Sequence, residues 1–553
     1  EKERDILLDQ HGHLIVDHDL YNHDGMTEDG IAEAFIEFAK KEGLSFFESS
    51  PSVTPFDVER YKRLMGGLEA TVVPLSEATT DNEAFRFDSN YFKKDYLISD
   101  SLIKSKGYFL LKSQTQDIKS FGAYSLYNNV EYVHEGIPFL RCVNIKNSQV
   151  IFSDVFYIDY KSHRILWKSE VKPKMVLLTM SGSAGNVAIA QETWSYPINS
   201  NQDIAKINCS NRINPYYLYI FLITKHGSNQ IQRQLVGSVQ QHIFLWQIEK
   251  LVISEASEKF QKYVEQVAKL SNIKAEESQR LYQQAEDLLL SELGLKDWQP
   301  TEENVAVKSF ANSFLSYDRL DAEYYQPKYD EFYQNLEKNA TSKGWEIKQY
   351  ETLSSKFKYG SSEPFEYLEQ GVPFLRIADL QNNRFSYKDL KFISKKDSEN
   401  IKNVRVKTGD VLISRSGTLG LAVVIPESLS NAVFGSYFIV TRPNPNIINP
   451  TYLALYMNSL LGQMQTEQAN TGGIQTNLTI PTIKRLRIIC PPLNFQEKLV
   501  QKNNQSYKAE DNAYKLLEIA KNGVELAIEK NEDKAVEWMQ KEIETVKIED
   551  CAS

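Results

Sequence analysis

The chain has 553 residues, of which 42% are hydrophobic and 25% charged, and its net charge at pH 7 is −10. This composition is typical of a globular protein with several domains, and it excludes fibrous or largely disordered classes. The sequence has no run of about 18 apolar residues and no basic-then-apolar leader, so neither a membrane span nor secretion is indicated. Four scattered cysteines without a CxxC pair favour free thiols in a reducing compartment, and a cytoplasmic location is expected.

The charge is unevenly distributed along the chain. Residues 1–80 carry 17 acidic and 7 basic side chains, whereas residues 81–250 carry 19 basic and 14 acidic ones. Residues 311–490 are also basic, with 21 basic and 18 acidic side chains. A surplus this small permits binding of nucleic acid through local patches but does not by itself establish it.

Residues 1–80 resemble the interior of a domain from their start. Residues 7–20 are predicted as a strand pair around a glycine turn, and residues 29–44 as an amphipathic helix that ends at Gly43. We therefore expect this part to be the tail of a longer protein or of a missing domain. Its histidines alternate with aspartates along polar strand edges, which favours a solvated surface over a metal site: His11, His13, His18 and His23.

The rest of the chain repeats itself at a fixed offset. IPFLR at 137–141 returns as VPFLR at 372–376, and INPYYL at 213–218 returns as INPTYL at 448–453. MSGSAG likewise returns as RSGTLG, and GSVQ as GGIQ. The period is far longer than the roughly 20–50 residues of solenoid repeats. It indicates a duplicated domain, and hence two similar surfaces on one chain.

Each copy is predicted to be an α+β domain. Short β-branched or aromatic runs at 150–159 and 175–180 are bounded by turn residues and predict strands. A helix is predicted to begin at Pro215 with Asn214 as its N-cap, and the second copy repeats this start. The first copy has Lys174 where the second has a glycine, so we expect its recognition loops to be set differently.

A long amphipathic stretch follows each copy, at 256–293 and at 495–547. The roughly heptad spacing of the apolar residues predicts long coiled-coil-like helices that pair antiparallel. The alternative is two surface helices packed on separate domains. A single helix over 256–293 would be roughly 57 Å long, and it would set the distance between the two domains.

The sequence carries almost no recognisable catalytic motif. The sequence has no GxxxxGK[ST] phosphate loop, no HExxH zinc motif and no GxSxG nucleophile elbow. It also lacks the Gly-rich cofactor loop and Asn-Pro-Pro-aromatic clamp of an amine methyltransferase, which INPYY at 213–217 only imitates. No catalytic residue and no metal site are assigned, and no cofactor is expected in this chain itself.

Several loops carry the side chains that a DNA reader needs. Gln and Asn can contact adenine with two hydrogen bonds, and Arg can contact guanine in the same way. The alternative is that the glycines of these loops merely form tight turns. The candidate DNA-binding residues are Ser181, Ser183, Asn186, Ser238, Gln240, Gln241, His242, Ser361, Ser362, Arg415, Ser416, Thr418, Gln475, Thr476 and Asn477.

These features together resemble the specificity subunit of type I restriction–modification systems, over about residues 83–545. The resemblance lies in RFDSNYF, IPFLR, NPYYLYIFL and GSVQQHIFLWQIEKLVI of the first copy, and in RLDAEYY, VPFLRIADL, GDVLISRSGTLG and GGIQTNLTIPTIKRLRIICPPLNFQEKL of the second. It implies two tandem target-recognition domains and recognition of a bipartite site in double-stranded DNA. The expected division is 1–80 methyltransferase remnant, 81–253 first target-recognition domain, 254–310 spacer helix and linker, 311–490 second target-recognition domain, and 491–553 second spacer helix.

The stretch DGIAEAFIEFAKKEGLSFF is similar to the C-terminal end of an adenine-N6 DNA methyltransferase of the same systems. This second resemblance implies a methyltransferase domain or subunit as partner, S-adenosylmethionine as the cofactor of that partner, and a restriction subunit as a further candidate partner. One alternative is the C-terminal part of a single-chain type IIG or IIB enzyme. The other is a scaffold that binds proteins and no DNA.

Overall fold

The computed structural model describes residues 71–79, 82, 86–120, 130–152, 154–237, 241–303, 305–381, 383–387, 390–470 and 477–551, and Lys41, Glu59 and Arg63 singly. The chain divides into two compact units, residues 1–94 and 95–553. In the first unit, a short helix α1 (Leu75–Thr79) is described. The strand pair at 7–20, most of the helix at 29–44 and the four N-terminal histidines lie outside the described residues.

The first repeated domain is built from short strands in two main sheets. The strands are β1 (Tyr108–Leu110), β2 (Thr115–Lys119), β3 (Tyr132–Val133), β4 (Ile137–Leu140), β5 (Ile145–Lys146), β6 (Gln149–Val150), β7 (Phe156–Ile158), β8 (Glu170–Val171), β9 (Val176–Thr179), β10 (Val187–Ile189), β11 (Ile198–Ser200), β12 (Ile204–Cys209) and β13 (Val252–Ser254). One sheet has the order β10-β9-β12-β2 and the other β3-β7-β4-β11-β8, and two further pairs are β1-β13 and β5-β6.

Five short α-helices accompany these strands among the described residues, and a long α-helix follows them. They are α2 (Lys94–Ser105), α3 (Tyr160–Ile165), α4 (Pro215–Ile223), α5 (Lys225–Gln234), α6 (Leu245–Glu249) and the long α7 (Glu258–Glu292). Helix α4 begins where the sequence predicts, because the Asn214 side chain accepts hydrogen bonds from the backbone N–H groups of Tyr216 and Tyr217. This helix is almost entirely buried and forms the centre of the domain core.

The second repeated domain has the same strand order. Its strands are β14 (Glu346–Gln349), β15 (Ser354–Tyr359), β16 (Val372–Leu375), β17 (Leu380–Gln381), β18 (Arg384–Phe385), β19 (Lys391–Ile393), β20 (Val411–Ser414), β21 (Ala422–Val424), β22 (Val433–Phe434), β23 (Phe438–Pro443) and β24 (Arg487–Cys490). Its main sheet, β15-β23-β20-β21, matches β2-β12-β9-β10, and its second sheet, β19-β16-β22, matches β7-β4-β11. Its helices are α8 (Phe314–Tyr317), α9 (Pro327–Ser342), α10 (Tyr350–Leu353), α11 (Lys395–Asn400), α12 (Pro450–Asn458), α13 (Leu460–Ala469) and α14 (Ile480–Arg485), and they are followed by α15 (Leu493–Glu529) and α16 (Glu532–Cys551).

The prediction of one strand at 150–159 is wrong. Residues 149–150 pair with β5 in a hairpin, whereas residues 156–158 pair with β4 in the second sheet. Two segments with similar side chains therefore belong to different ladders, because strand pairing is decided by non-local partners. The strand predicted at 175–180 is confirmed as β9.

The turn before β9 keeps its shape despite the substitution of glycine by lysine. Lys174 has a φ of 67° and Gly409, its counterpart before β20, a φ of 81°. The backbone N–H of Lys174 donates to Ala190 O, as that of Gly409 donates to Ile425 O. The expected difference between the two copies is therefore absent from this turn, where a lysine accepts the left-handed backbone.

The two long helices α7 and α15 pair antiparallel. The Ser271 hydroxyl donates to Ala513 O over 2.7 Å, and the Ser506 hydroxyl donates to Ser278 O over 2.8 Å. Farther along, Lys502 Nζ donates to Gln284 Oε1. Residue numbers rise on one helix as they fall on the other, so the predicted antiparallel arrangement is confirmed. Each domain core includes one end of the helix pair.

The serine contacts reveal a pseudo-twofold axis. The offset of the sequence repeat carries Ser271 onto Ser506, and it carries Ser278 onto Ala513. The two hydrogen bonds are therefore the same contact made twice, once in each direction. The axis that relates these two contacts crosses the pair near Lys274 of α7 and Ala509 of α15.

The predicted single helix at 495–547 is two helices. Helix α15 ends at Glu529, Lys530 has φ −120° and ψ −88°, and α16 folds back along α15. Asn531 starts α16, since its side chain accepts a hydrogen bond from Lys534 N at 2.9 Å. Gly523 lets the helices approach, because a Cβ there would lie 2.2 Å from Met539 Sδ.

Two glycines at equivalent positions should be irreplaceable. A Cβ at Gly227 would lie 2.2 Å from Phe221 O, and one at Gly462 would lie 2.2 Å from Met457 O. Both oxygens belong to the backbone of the preceding helix, so a change of side-chain rotamer cannot relieve the clash. We expect Gly227→Ala and Gly462→Ala each to destabilise the protein by about 3 kcal/mol, measured as a fall in Tm. Gly523→Ala is the contrast and should cost less, because the Met539 side chain can rotate away; equal losses would contradict this account.

Lys206 is buried in β12 of the first domain, and it should make stability depend on pH. Its ammonium donates to Ser200 Oγ at 2.8 Å and Ile204 O at 3.1 Å, both neutral oxygens. Burial lowers the pKa of Lys206 to about 7 from its usual 10.5. At pH values between about 7 and about 10.5, the unfolded chain therefore binds one more proton than the folded chain. Wild-type stability consequently falls as the pH is lowered through this range.

We therefore expect Lys206→Met to be more stable than the wild type at pH 7, with the difference in Tm shrinking as the pH approaches 10. Thermal melts at several pH values measure this difference, with Lys161→Met, at an exposed lysine of the same domain, as the control. A difference in Tm that stays constant across this range would rule out the buried ammonium as its cause.

Candidate nucleic-acid interface

Two loops meet beside the end of β9 in the first domain. Ser181 and His242 form an antiparallel bridge, and Ile243 N donates to Met180 O at 2.9 Å. The second loop closes on itself through a bridge between Val236 and His242. The structure thus brings Ser181 and Gln241-His242 together, although they are far apart in the sequence. Ser238 and Gln240 of the second loop lie outside the described residues.

The polar side chains of these loops differ in their surroundings. The Ser181 hydroxyl donates to Asp203 Oδ1 at 2.6 Å, and Asn186 Nδ2 donates to Ile145 O at 3.0 Å. These two side chains hold the loop to the domain. Ser183 and Gln241 are exposed to solvent. The exposed pair and His242, which contacts the Phe244 ring with centroids 4.5 Å apart, form the outer surface of the site.

The second domain repeats the arrangement. Ser416 and Asn477 form an antiparallel bridge at the positions that the repeat offset assigns to Ser181 and His242, and Leu478 N donates to Arg415 O at 2.9 Å. Ser416 is half-buried and Thr418 exposed. Gln475 and Thr476 lie outside the described residues.

The segment with the candidate residues Ser361 and Ser362 joins the same site of the second domain. Ser361 N donates to Phe434 O at 2.9 Å, and Ser361 O accepts from Ser436 N at 2.8 Å. The following residue, Tyr437, accepts a hydrogen bond from Arg415 N through its carbonyl oxygen. The short segment Ser436–Tyr437 therefore contacts both Ser361 and Arg415. Ser362, which follows Ser361, is exposed.

The Arg415 guanidinium is held against the protein. Its Nε donates to Leu478 O at 3.2 Å and its Nη1 to Ser436 O at 3.5 Å, and its Cζ lies 4.8 Å from the centroid of the Tyr359 ring. Part of its donor capacity is thus used in fixing the loops to one another. The prediction that Arg415 contacts a base stays a prediction.

Equivalent glycines shape the exposed tips of the first loops. Gly182 has a φ of 68° and Gly417 a φ of 77°, a left-handed conformation that glycine adopts without strain. A Cβ at either position would meet no atom within 4 Å, so both tips face open space. Tight turns and exposed polar tips therefore occur together, and the two interpretations of these loops are compatible.

Sequence reasoning missed three residues of the site. Asp203 fixes Ser181, Tyr359 lies under Arg415, and the Tyr437 side chain is 60% exposed beside it. Tyr437 follows a Gly-Ser pair directly before a buried strand, which is a signal of an exposed turn. Asp203 also lies in a short turn before a strand, but nothing local indicates its partner.

Three free cysteines lie among the described residues, Cys142 buried and Cys209 and Cys490 half-buried. Burial raises the pKa of the Cys142 thiol to about 12, with a smaller contribution from Asp203, and burial also raises the pKa values of Cys209 and Cys490 to about 12 and about 11. These thiols are therefore protonated and poor nucleophiles near neutral pH. Within the described part of the chain, no group of three or more His, Cys, Asp or Glu side chains is placed to hold a metal ion. In the same part, no helix is long and apolar enough to cross a membrane.

The geometry defines a class of protein: two like α+β domains at the ends of an antiparallel helix pair, each with converging polar loops. Residues 343–510 match the family described as "Type I restriction modification DNA specificity domain". This segment includes most of the second repeated domain and the first half of α15.

Two curated proteins are similar to part of the chain. The specificity subunit of type I restriction enzyme EcoBI of Escherichia coli is 21% identical over 157 residues, which is 28% of this chain and 33% of that protein. The HindI specificity subunit of Haemophilus influenzae is 26% identical over 133 residues, which is 23% of this chain and 28% of that protein. The chain thus spans about a third of the length of the curated relatives that it matches.

The solved structures that resemble the chain have low sequence identity to it. The S subunit of a type I restriction–modification system from M. genitalium is 14% identical, with a TM-score of 0.36, and the match covers 78% of this chain and 95% of that one. The HsdS subunit from Thermoanaerobacter tengcongensis is also 14% identical, with a TM-score of 0.25, and the match covers 78% and 96%.

Proposed function

We propose that this chain recognises a bipartite DNA sequence, with one half-site bound by each repeated domain. The observation that carries the proposal is the same loop-to-loop bridge in both domains, which sit at opposite ends of one helix pair. Loops of this kind can place hydroxyl, amide and guanidinium groups at base edges. The match of residues 343–510 to a DNA specificity domain supports the proposal.

The helix pair would set the distance between the half-sites. Helix α7 has 35 residues and is therefore roughly 52 Å long. Because half-site spacing follows protein geometry, the gap should have a fixed length. Phosphate contacts from the two basic stretches, 81–250 and 311–490, would contribute affinity that does not depend on sequence.

We further propose that the bound chain directs adenine-N6 methylation by a methyltransferase domain or subunit that uses S-adenosylmethionine. The curated relatives are specificity subunits of restriction enzymes, and the stretch at 29–47 is similar to the end of such a methyltransferase. Residues 1–80, whose acidic side chains outnumber the basic ones by 17 to 7, would complete that domain, either within one longer chain or with a separate partner. A restriction subunit is a further proposed partner.

A protein-binding scaffold is the second candidate function. Four apolar side chains of 305–320 are strongly exposed, with exposures between 67% and 96%: Val305, Val307, Leu315 and Leu320. Contiguous exposed apolar patches commonly mark protein–protein contacts, and these four side chains would contribute to such a patch. A scaffold of this kind would show no sequence-dependent affinity for DNA.

The test is a binding-site selection from random duplex DNA with the purified chain, followed by titrations over a range of salt. We expect two short conserved elements separated by a constant gap. Affinity should fall at least about tenfold between roughly 50 and 200 mM salt, because phosphate binding releases counterions. A single continuous motif, or no enrichment at all, would contradict the proposal and favour the scaffold. The chain alone should transfer no labelled methyl group from S-adenosylmethionine to DNA.

A further inference from the structure

Phe244 is an exposed aromatic residue beside the candidate interface of the first domain. It is 45% exposed, and its ring centroid lies 4.5 Å from that of His242, the residue that bridges Ser181. The backbone before it is fixed, because Ile243 is completely buried and its N–H donates to Met180 O. A rigid segment therefore holds the ring next to Ser181 and His242, with much of its surface in solvent.

Phe244 is poorly suited to its place in the chain. It occupies the N-cap of α6, where a side-chain oxygen of Ser, Thr, Asp or Asn normally accepts a hydrogen bond from the first turn of the helix. A phenyl ring has no such oxygen. The Gln247 side chain accepts a hydrogen bond from Phe244 N at 2.8 Å, so one half of a capping box is present and the other half cannot form.

The second domain has a suitable residue at the equivalent position. The repeat offset carries Phe244 onto Thr479, whose hydroxyl oxygen accepts a hydrogen bond from Thr482 N at 3.3 Å at the start of α14. The first domain instead carries a ring that cannot cap its helix and is only partly buried. Departures from local rules of stability are expected at functional sites, which favours a role for this ring in binding.

An aromatic and cationic surface continues along α6. Trp246 is 42% exposed, and Lys250 Nζ lies 5.4 Å from the centroid of its ring. Lys250 is itself exposed. Double-stranded DNA offers partners for both kinds of group, since its phosphates are negative and the C5 methyl group of thymine is an apolar group in the major groove.

We propose that Phe244 is a base-contacting residue of the first domain, whose ring packs against the C5 methyl group of a thymine in the first half-site. The proposal rests on the proposed DNA-reading function and adds an apolar contact to the hydrogen-bonding side chains of the loops. Thymine presents the O4 acceptor and the methyl group in the major groove. Uracil keeps the acceptor and lacks the methyl group, so a contact of this kind would distinguish the two bases.

The test replaces thymine by deoxyuridine, one position at a time, in the duplex returned by binding-site selection. Affinities for each duplex are measured with the wild-type chain and with Phe244→Ala, Phe244→Ser and Phe156→Ala. Phe156 of β7 is a matched control, because it is 44% exposed and the Arg141 Cζ lies 3.6 Å from its ring centroid. Phe244→Ser serves if Phe244→Ala folds poorly, since a serine hydroxyl would complete the capping box with Gln247.

We expect deoxyuridine to weaken wild-type binding roughly fourfold at one or two positions, because the burial of one methyl group is lost. All such positions should lie in the same element of the target. Phe244→Ala and Phe244→Ser should bind the thymine and deoxyuridine duplexes equally at these positions, whereas Phe156→Ala should discriminate as the wild type does. Discrimination at the remaining base pairs should stay unchanged in every variant.

Three results would overturn the proposal: a wild-type chain indifferent to deoxyuridine at every position, a preference for thymine retained in both Phe244 variants, or the same loss in Phe156→Ala. A loss of discrimination at every base pair of the element would also overturn it, because Phe244 would then only support the neighbouring loops. A wild-type chain without any sequence preference would instead refute the proposed DNA-reading function. The two failures are thus distinguishable in the same experiment.

Discussion

A four-residue insertion in both long helices should lengthen the gap of the DNA target by one or two base pairs. The insertions belong at the pseudo-twofold axis, after Lys274 in α7 and after Ala509 in α15. Four helical residues add about 6 Å and about 40° of rotation, and one base pair contributes about 3.4 Å and about 36°. Binding-site selection with the variant should return the same two elements at the new spacing.

The control is the same insertion in α7 alone. It would place Ser271 opposite the wrong residue of α15 while leaving Ser278 in register, so both serine contacts cannot form together. We expect this variant to lose stability without acquiring a defined new gap. If the double insertion leaves the gap unchanged, the helix pair does not set the spacing.

Substitutions in the loops should act on one half-site at a time. Arg415→Ala should relax base preference in the second element, and Gln241→Ala in the first. Each should cost about 1–3 kcal/mol against the preferred base, the value of a good bidentate contact. Competition binding with duplexes altered at single base pairs of each half-site measures the two effects separately.

Gln283→Ala serves as the control, because this glutamine is exposed on α7 and donates to Asp287 on its own helix. It should change neither half-site. A simultaneous loss in both half-sites after Arg415→Ala would show that the loop supports the fold rather than reading bases. Substitution of Gln240 should likewise affect only the first half-site, and substitution of Gln475 only the second.

Helices were predictable where a local signal marks their start. Asn214 with Pro215 locates the beginning of α4, and the second copy repeats the pattern at Asn449. The start of α16 carries a comparable signal, an N-cap asparagine at 531 followed by acidic residues. It was missed because the apolar spacing continues across the break, and periodicity alone does not report a reversal of direction.

The candidate site was predictable as a set of loops but not as a set of contacts. Repeated glycine turns after repeated strands were sufficient to predict that Ser181 and Ser416 lie in equivalent loops of the two domains. The RLDAEYY motif served in the sequence only as a landmark of the repeat, whereas the structure gives Arg319 of this motif a contact with the distant Ala469. Such a partner depends on the tertiary fold, and no local propensity encodes it.

The paired serines also have a consequence for a shortened chain. Because the contact between Ser271 and Ala513 recurs as that between Ser506 and Ser278, each helix supplies the donor and the acceptor that its partner needs. A surface with this property is self-complementary, as in an isologous dimer. A chain with one domain and one long helix would therefore carry both the donor and the acceptor of this contact, and could form it with its own copy. Such a homodimer would have a true twofold axis, and its target would be an inverted repeat of a single half-site.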